Sequence, residues 1–322
     1  MASPSPQCIL IIGAGELGVA MLEGLAGYNH NHHPSSSSSS PPPSLTVLLR
    51  PSTLTSPNPI KARANAYLLS LGASLIPGDI VQDTTASLAA IFRAYDVVVV
   101  CSGFGDAFPP GTQLKLANAA IMGKVKRFFP WQWGIDYDVV GEGSAQDLFD
   151  EQGAVRRVLR EQGDGGVDWV VVSTGLFVSF IFVPSFGPVD LPNRTLRALG
   201  SWDTRLSVTT PRDIGRVAAA LIFDPQSVHR QVVFAAGDTV SYGEIADLVE
   251  RRFGGKWNRE LWDMHTLRKR LDYSPDDGMV KYQNVFGEGR GVAWDMEDTV
   301  NWQRGMEMQT VEEYLREMED LD

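Results

Sequence analysis

Hydrophobic and polar positions alternate along this chain in blocks that read as strand, turn and helix in succession. The first block, Cys8-Ile9-Leu10-Ile11-Ile12, is an apolar, β-branched run. It ends in Gly13-Ala14-Gly15-Glu16-Leu17-Gly18 and passes into a helical pattern from Val19 to Leu25. Short apolar runs at 45–49, 73–76, 96–101, 126–130 and 167–174 predict five more strands. Stretches with helical spacing at 60–71, 85–92, 113–122 and 147–162 fall between them. Within Asp96 to Cys101, Val97 to Cys101 is apolar at successive positions, as a strand covered on both faces must be. From Gly175 the alternation is less regular. Phe177 to Phe186 is dense in aromatic and β-branched residues, which reads as core or as the lining of a pocket. Arg212 to Arg216 precedes an alanine-rich helix reaching Phe223, and Val232 to Phe234 reads as a strand. Ser241-Tyr242-Gly243-Glu244 has the spacing of a capping box before a helix from Ile245 to Phe253, and Thr310 to Glu313 opens a last, acidic helix.

Strands alternating with helices predict an α/β protein: a Rossmann-type doubly wound parallel sheet with right-handed crossovers over residues 1–175. A smaller C-terminal α/β part over 176–322, interleaved with the sheet, is expected to bind substrate. The glycine loop gives the first part its chemistry. Gly13 permits a sharp turn, Gly15 lets a pyrophosphate approach the backbone, and Gly18 lets the helix pack close to the strand. The N-terminus of that helix then faces the phosphates. At the end of the second strand, where an NAD site usually carries an acidic residue, this chain has Arg50-Pro51-Ser52-Thr53. A guanidinium there suits a 2′-phosphate, and Lys61 adds a second positive charge, which favours NADP(H) over NAD(H). The alternative is that both are ordinary solvated charges. Other residues at the same sheet edge are expected to line the cofactor. They are Glu16 and Leu17 in the loop, Ser52, then Ser102, Gly103 and Phe104, Gln113 in the next helix, and Pro130, Trp131 and Gln132.

Composition narrows the reading. The chain has 322 residues, 43% of them hydrophobic, enough for a full core. A net charge of -11 disfavours nucleic-acid binding. No apolar run reaches the roughly 20 residues of a membrane span, and Met1 to Gln7 lacks the basic and apolar regions of a secretory signal. Cys8 and Cys101 sit in apolar runs and read as two buried, reduced thiols, so a cytoplasmic protein is expected. Residues 28–44, with histidines, a run of six serines and prolines, read as a disordered loop. The histidines there have no carboxylate or cysteine beside them, so no metal site is expected.

The loop Gly13-Ala14-Gly15-Glu16-Leu17-Gly18, Arg50 to Thr53, Val125-Lys126-Arg127-Phe128-Phe129-Pro130, Asp213-Ile214-Gly215 and Ser241 to Ala246 together resemble the NmrA-like, isoflavone reductase-like branch of the atypical short-chain dehydrogenases. Trp131 to Asp138 and Gly287-Glu288-Gly289 look most like fungal members. The resemblance implies a Rossmann domain that binds NADPH and a C-terminal part that closes over a small-molecule substrate. It also exposes departures. Plant members carry a lysine in a pattern like Phe-Asp-Glu-Lys, which here reads Phe149-Asp150-Glu151-Gln152. Lysine donates protons, whereas glutamine only hydrogen-bonds. The family loop Pro-Ser-Glu-Phe-Gly is here Pro130-Trp131-Gln132-Trp133-Gly134, whose indoles offer a stacking surface for an aromatic substrate or the nicotinamide, or pack at the sheet edge.

Candidate catalytic residues are therefore Gln152, Asp136 and Asp147, although such aspartates are more often surface or capping residues. Candidate substrate-binding residues are Trp133, Leu176, Phe177, Phe180 and His265, the last otherwise a surface helix position. Three functions fit these residues. The first is NADPH-dependent reduction of an aromatic or heterocyclic metabolite (an imine, enone or quinone-like acceptor), with the fungal look pointing to secondary metabolism. The second is a redox-neutral rearrangement beside a bound NADP. The third is an NADP-sensing regulator without catalysis.

Overall fold

The computed structural model describes residues 7–32, 42–103 and 108–319. The chain runs through β1 (Cys8–Ile12), α1 (Glu16–His32), β2 (Ser44–Leu49), α2 (Pro51–Leu54), α3 (Pro59–Ser70), β3 (Ser74–Pro77) and α4 (Thr85–Phe92). It continues through β4 (Val97–Val100), α5 (Thr112–Gly123), β5 (Arg127–Phe129), α6 (Tyr137–Val140), α7 (Leu148–Glu161), β6 (Asp168–Ser173) and, further on, α8 (Pro211–Phe223). Local chemistry places the boundaries. Asn58 accepts from the Ile60 N–H at 2.8 Å with proline opening α3, and Thr84 accepts from the Ser87 N–H at 3.1 Å at the start of α4.

Among the described residues these strands build one seven-stranded sheet in the order β3-β2-β1-β4-β5-β6, with Gln231–Phe234 beyond β6. The pairs β1–β2, β2–β3, β1–β4, β4–β5 and β5–β6 are all parallel, with Ile9 opposite both Leu45 and Val97. From β1 the chain moves outward to β2 and β3, then returns to β4 on the other side. The order reverses between β1 and β4, and ligands of open α/β sheets bind beyond the strand ends at such a reversal. β4 is fully buried along its length, as its unbroken valine run requires.

The chain divides into two compact units, 1–132 with 154–172 and 211–232, and 133–153 with 173–210 and 233–322. The chain passes between the two units several times. In the second unit, Arg205–Thr209 pairs antiparallel with Asp238–Ser241 and parallel with Leu176–Phe177. Thr195–Leu199 pairs parallel with Asn258–Trp262 and antiparallel with Val189–Asp190. Both predicted capping boxes are formed, at Ser241/Glu244 and at Thr310/Glu313.

Several elements differ from expectation for physical reasons. α1 runs past Leu25 to His32, taking in Tyr28, which was expected in a loop; its ring stacks on Phe223 of α8 at 5.1 Å. Residues 33–41, the serine-rich core of that loop, lie outside the described residues. Asp213-Ile214-Gly215 forms the first turn of α8 rather than a segment before it. Its glycine is a crossing point. A Cβ on Gly215 would lie 2.2 Å from the Ala20 carbonyl oxygen, and one on Gly24 would lie 2.4 Å from the Gly215 carbonyl oxygen. α1 and α8 therefore touch backbone to backbone.

Arg127 of the Lys-Arg-Phe-Phe-Pro motif is buried. It donates to Asp168 at 2.9 Å and to the Val228 carbonyl at 2.7 Å, and His229 shares the same carboxylate at 3.0 Å. Cys101 is buried as expected, whereas Cys8 is only partly so. Among the described residues no helix is long and apolar enough to cross a membrane, and no group of three or more His, Cys, Asp or Glu side chains is arranged to hold a metal ion.

Two outcomes follow from this packing. Gly215→Ala forces the helices apart and is expected to destabilise the protein by about 1–3 kcal/mol. Gly27→Ala, which meets nothing within 4 Å, should be neutral or stabilising; thermal unfolding of the two variants checks the contrast. Burial pushes the Cys101 thiol well above its usual range, so the reactive thiolate is not populated near neutral pH. Iodoacetamide at pH 8 should leave Cys101 unmodified in the folded protein and label it after denaturation, as read by peptide mass spectrometry.

Candidate active site

The first unit presents a cradle at the carboxyl end of β1. Gly13 has φ +95°, and a Cβ there would lie 1.7 Å from Ser102 Oγ. Its N–H donates to the Leu48 carbonyl at 3.3 Å, which ties the turn to β2. A Cβ on Gly18 would lie 2.1 Å from the Gly13 carbonyl oxygen, so only glycine lets α1 start this close to the loop. Gly15 differs: nothing lies within 4 Å of its Cβ position. Two glycines are needed by the protein's own packing, and the third faces open space in front of the positive end of α1. That arrangement suits a pyrophosphate. Glu16 is exposed, while the Leu17 side chain is in the core, so Leu17 offers the loop only its backbone.

Arg50 leaves β2 exposed, at the N-cap of α2, with its guanidinium carbon 5.8 Å from the centre of the Phe108 ring. Ser52 and Lys61 are exposed on α2 and α3. An exposed guanidinium, a hydroxyl and an ammonium are the donor types that suit a phosphate monoester. After β4, Gln113 Nε2 donates to the Ser102 carbonyl at 3.1 Å. A Cβ on Gly103 would lie 2.2 Å from Trp131 Cδ2. Phe104 lies outside the described residues. Pro130 is buried and Trp131 half-buried. Gln132 is buried, and its Oε1 accepts from Arg156 Nε at 2.8 Å. Since a guanidinium only donates, this contact fixes which end of the amide faces the arginine.

Residues of the second unit have other surroundings. Asp136 caps α6, its carboxylate accepting from the Asp138 N–H at 3.1 Å. Asp147 is exposed and ion-paired with Lys281. Both have the partners that the capping and surface readings of their sequence expect. His265 is likewise exposed, in the first turn of helix Met264–Tyr273. Trp133 retains 5% exposure and offers no stacking face. Gln152 is completely buried in α7.

Leu176 is buried, while Phe177 and Phe180 are half-buried. Phe180 meets Phe186 at 5.0 Å and Tyr282 at 6.1 Å, and Phe149 joins Tyr137 at 5.2 Å and Tyr282 at 5.5 Å. The aromatic segment is thus largely core. Burial, and then the neighbouring Tyr137, push the Tyr282 phenol up, so it keeps its proton at neutral pH. Arg156 and Phe108 were not singled out from sequence. Arg156 stands in an Arg156-Arg157 pair that looks like a solvated helix face, and only its spacing of four from Gln152 hints that both share the inner face.

Comparison with known proteins fits this architecture. The model of the NmrA-like family matches residues 46–315. An NmrA-like family domain-containing oxidoreductase of Gibberella moniliformis is 50% identical over 311 residues, covering 96% of this chain and 97% of the relative. Phenylcoumaran benzylic ether reductase Betv6 of Betula pendula is 26% identical, covering 97% of this chain and 98% of the relative. Among solved structures, isoflavone reductase superposes with a TM-score of 0.76 at 20% identity, over 97% of this chain and 99% of that one. The leucoanthocyanidin reductase–NADPH binary complex of Vitis vinifera gives 0.77 at 19% identity, over 96% and 98%. A match over most of the chain, together with a half-identical, full-length relative, shows that the chain belongs to the NmrA-like family.

Proposed function

We propose that this protein is an NADPH-dependent reductase of a small aromatic or heterocyclic metabolite, acting in secondary metabolism. The observation that carries the reading is the glycine cradle, closed by packing at Gly13 and Gly18 and open at Gly15, with Arg50 at the end of the adjacent strand. Relatives named as an oxidoreductase and as a phenylcoumaran benzylic ether reductase support it, as does a solved neighbour in complex with NADPH.

NADPH, when bound, supplies a hydride. The chain supplies binding and orientation. Gly15 and the N-terminus of α1 hold the pyrophosphate, and Arg50 holds the 2′-phosphate through charge-assisted hydrogen bonds, aided by Ser52 and Lys61. Gln152 stands where the plant members have lysine. Its amide orients by hydrogen bonding and transfers no proton. The substrate is therefore an acceptor that is already cationic or strongly polarised, such as an iminium or a quinone-like ring. Gln152 also favours a second reading, a redox-neutral rearrangement beside bound NADP, because such a reaction has no use for the lysine.

Three measurements test these assignments. Arg50→Ala should weaken NADPH binding by about tenfold to a hundredfold while leaving NADH binding nearly unchanged; equal losses would remove the role of Arg50. Gly15→Ala should fold like the parent protein yet bind NADPH at least about tenfold more weakly, whereas Gly18→Ala should lose thermal stability first. Loss of NADPH absorbance against a panel of imines, enones and quinones tests the reaction itself. Turnover without NADPH consumption would transfer the assignment to the redox-neutral reading.

A further inference from the structure

The two tryptophans that follow β5 have different fates. Trp133 is buried, while Trp131 is half-buried, packed in part against the core of the first unit. Its seat is Gly103, just past the carboxyl end of β4. A Cβ there would lie 2.2 Å from Trp131 Cδ2 and 2.5 Å from Cε3, distances no side chain tolerates. Gly103 is buried and pinned in turn. Gln113 Nε2 donates to the Ser102 carbonyl at 3.1 Å and would lie 2.6 Å from that same Cβ. The indole is thus anchored on main chain. β4 lies between β1 and β5 and pairs in parallel with both, so Gly103 and Trp131 stand at the same carboxyl edge as the glycine loop. The related loop pattern has serine where this chain has Trp131. The departure therefore comes with a packing partner that holds it in place.

We infer that Trp131, seated on Gly103, is the platform for the face of a planar conjugated ring of the substrate, and that it selects flat aromatic acceptors over aliphatic ones. The anchored indole loses little freedom when a ring stacks on it, so the contact favours binding. The inference takes from the reductase reading only that the stacked molecule is a substrate; the stacking itself requires no turnover.

Binding of 9,10-phenanthrenequinone to the full chain loaded with NADP+, followed by calorimetry, tests the inference. Cyclohex-2-enone serves as the aliphatic probe. Trp131→Ala should weaken quinone binding about tenfold, well beyond any effect on enone binding, and Trp131→Phe should keep most of the quinone binding. Gly103→Ala, by displacing the indole, should reproduce the Trp131→Ala loss; if it fails to fold, the two Trp131 variants carry the test. The inference is overturned if the parent protein does not bind the quinone, or if Trp131→Ala binds it as tightly as the parent. It is also overturned if Trp131→Ala loses NADP+ affinity instead, because the indole would then serve the nicotinamide. Quinone binding without NADPH consumption by any acceptor would remove the reductase reading and leave the platform intact.

Discussion

Backbone must touch backbone around α1, and much of the first unit depends on that constraint. At its start, Gly18 lies against the Gly13 carbonyl; further along, Gly24 meets Gly215 and Gly215 meets Ala20. Each contact removes the room for a single methyl group. Because close-packed interiors do not yield by an ångström, these positions fix how near α1 lies to β1 and to α8. The position of α1 in turn fixes where its positive end points. The packing glycines leave Gly15 beside that end in open space.

Buried polar contacts do comparable work near the strand ends. The Arg127–Asp168 pair, shared with His229 and completed by the Val228 carbonyl, secures β5 against β6 at the far side of the sheet. Arg156 grips Gln132 in the loop after β5. Buried charged groups are costly without partners, so the first contact ties β5 to β6 and the second holds the loop after β5. Trp131 belongs to the same loop and is fixed by a different means, the bare main chain of Gly103.

The site was legible in sequence where chemistry depends on backbone and short-range spacing. The Gly13, Gly15 and Gly18 pattern predicted three separate roles; the structure shows the sharp turn at Gly13, the close packing at Gly18 and open space at Gly15. α4 was read over its full span, and both capping boxes were found, because their signals are contained within a few residues. Long-range partners were harder to read. Tyr28 looked like the start of a polar loop until Phe223, far along the chain, supplied a surface that extends α1. Trp131 and Trp133 are equivalent in a sequence, yet one is half-buried over Gly103 and the other is sealed away. Arg156 reads as half of a solvated pair until the fold buries it.

By itself, then, the amino-acid sequence determined the alternation of strands and helices, the glycine turn after β1, the cation after β2 and the family. All of these rest on residue type and near-neighbour spacing. Only the tertiary structure decided which candidate side chains are buried and which stay exposed. Asp136 became a helix cap, Asp147 a surface ion pair, Trp133 part of the interior and Trp131 an anchored, accessible ring. The physical reason is that burial and orientation are set by partners distant in the chain, and one residue of shift along a strand or a quarter turn of a helix moves a side chain from solvent to core.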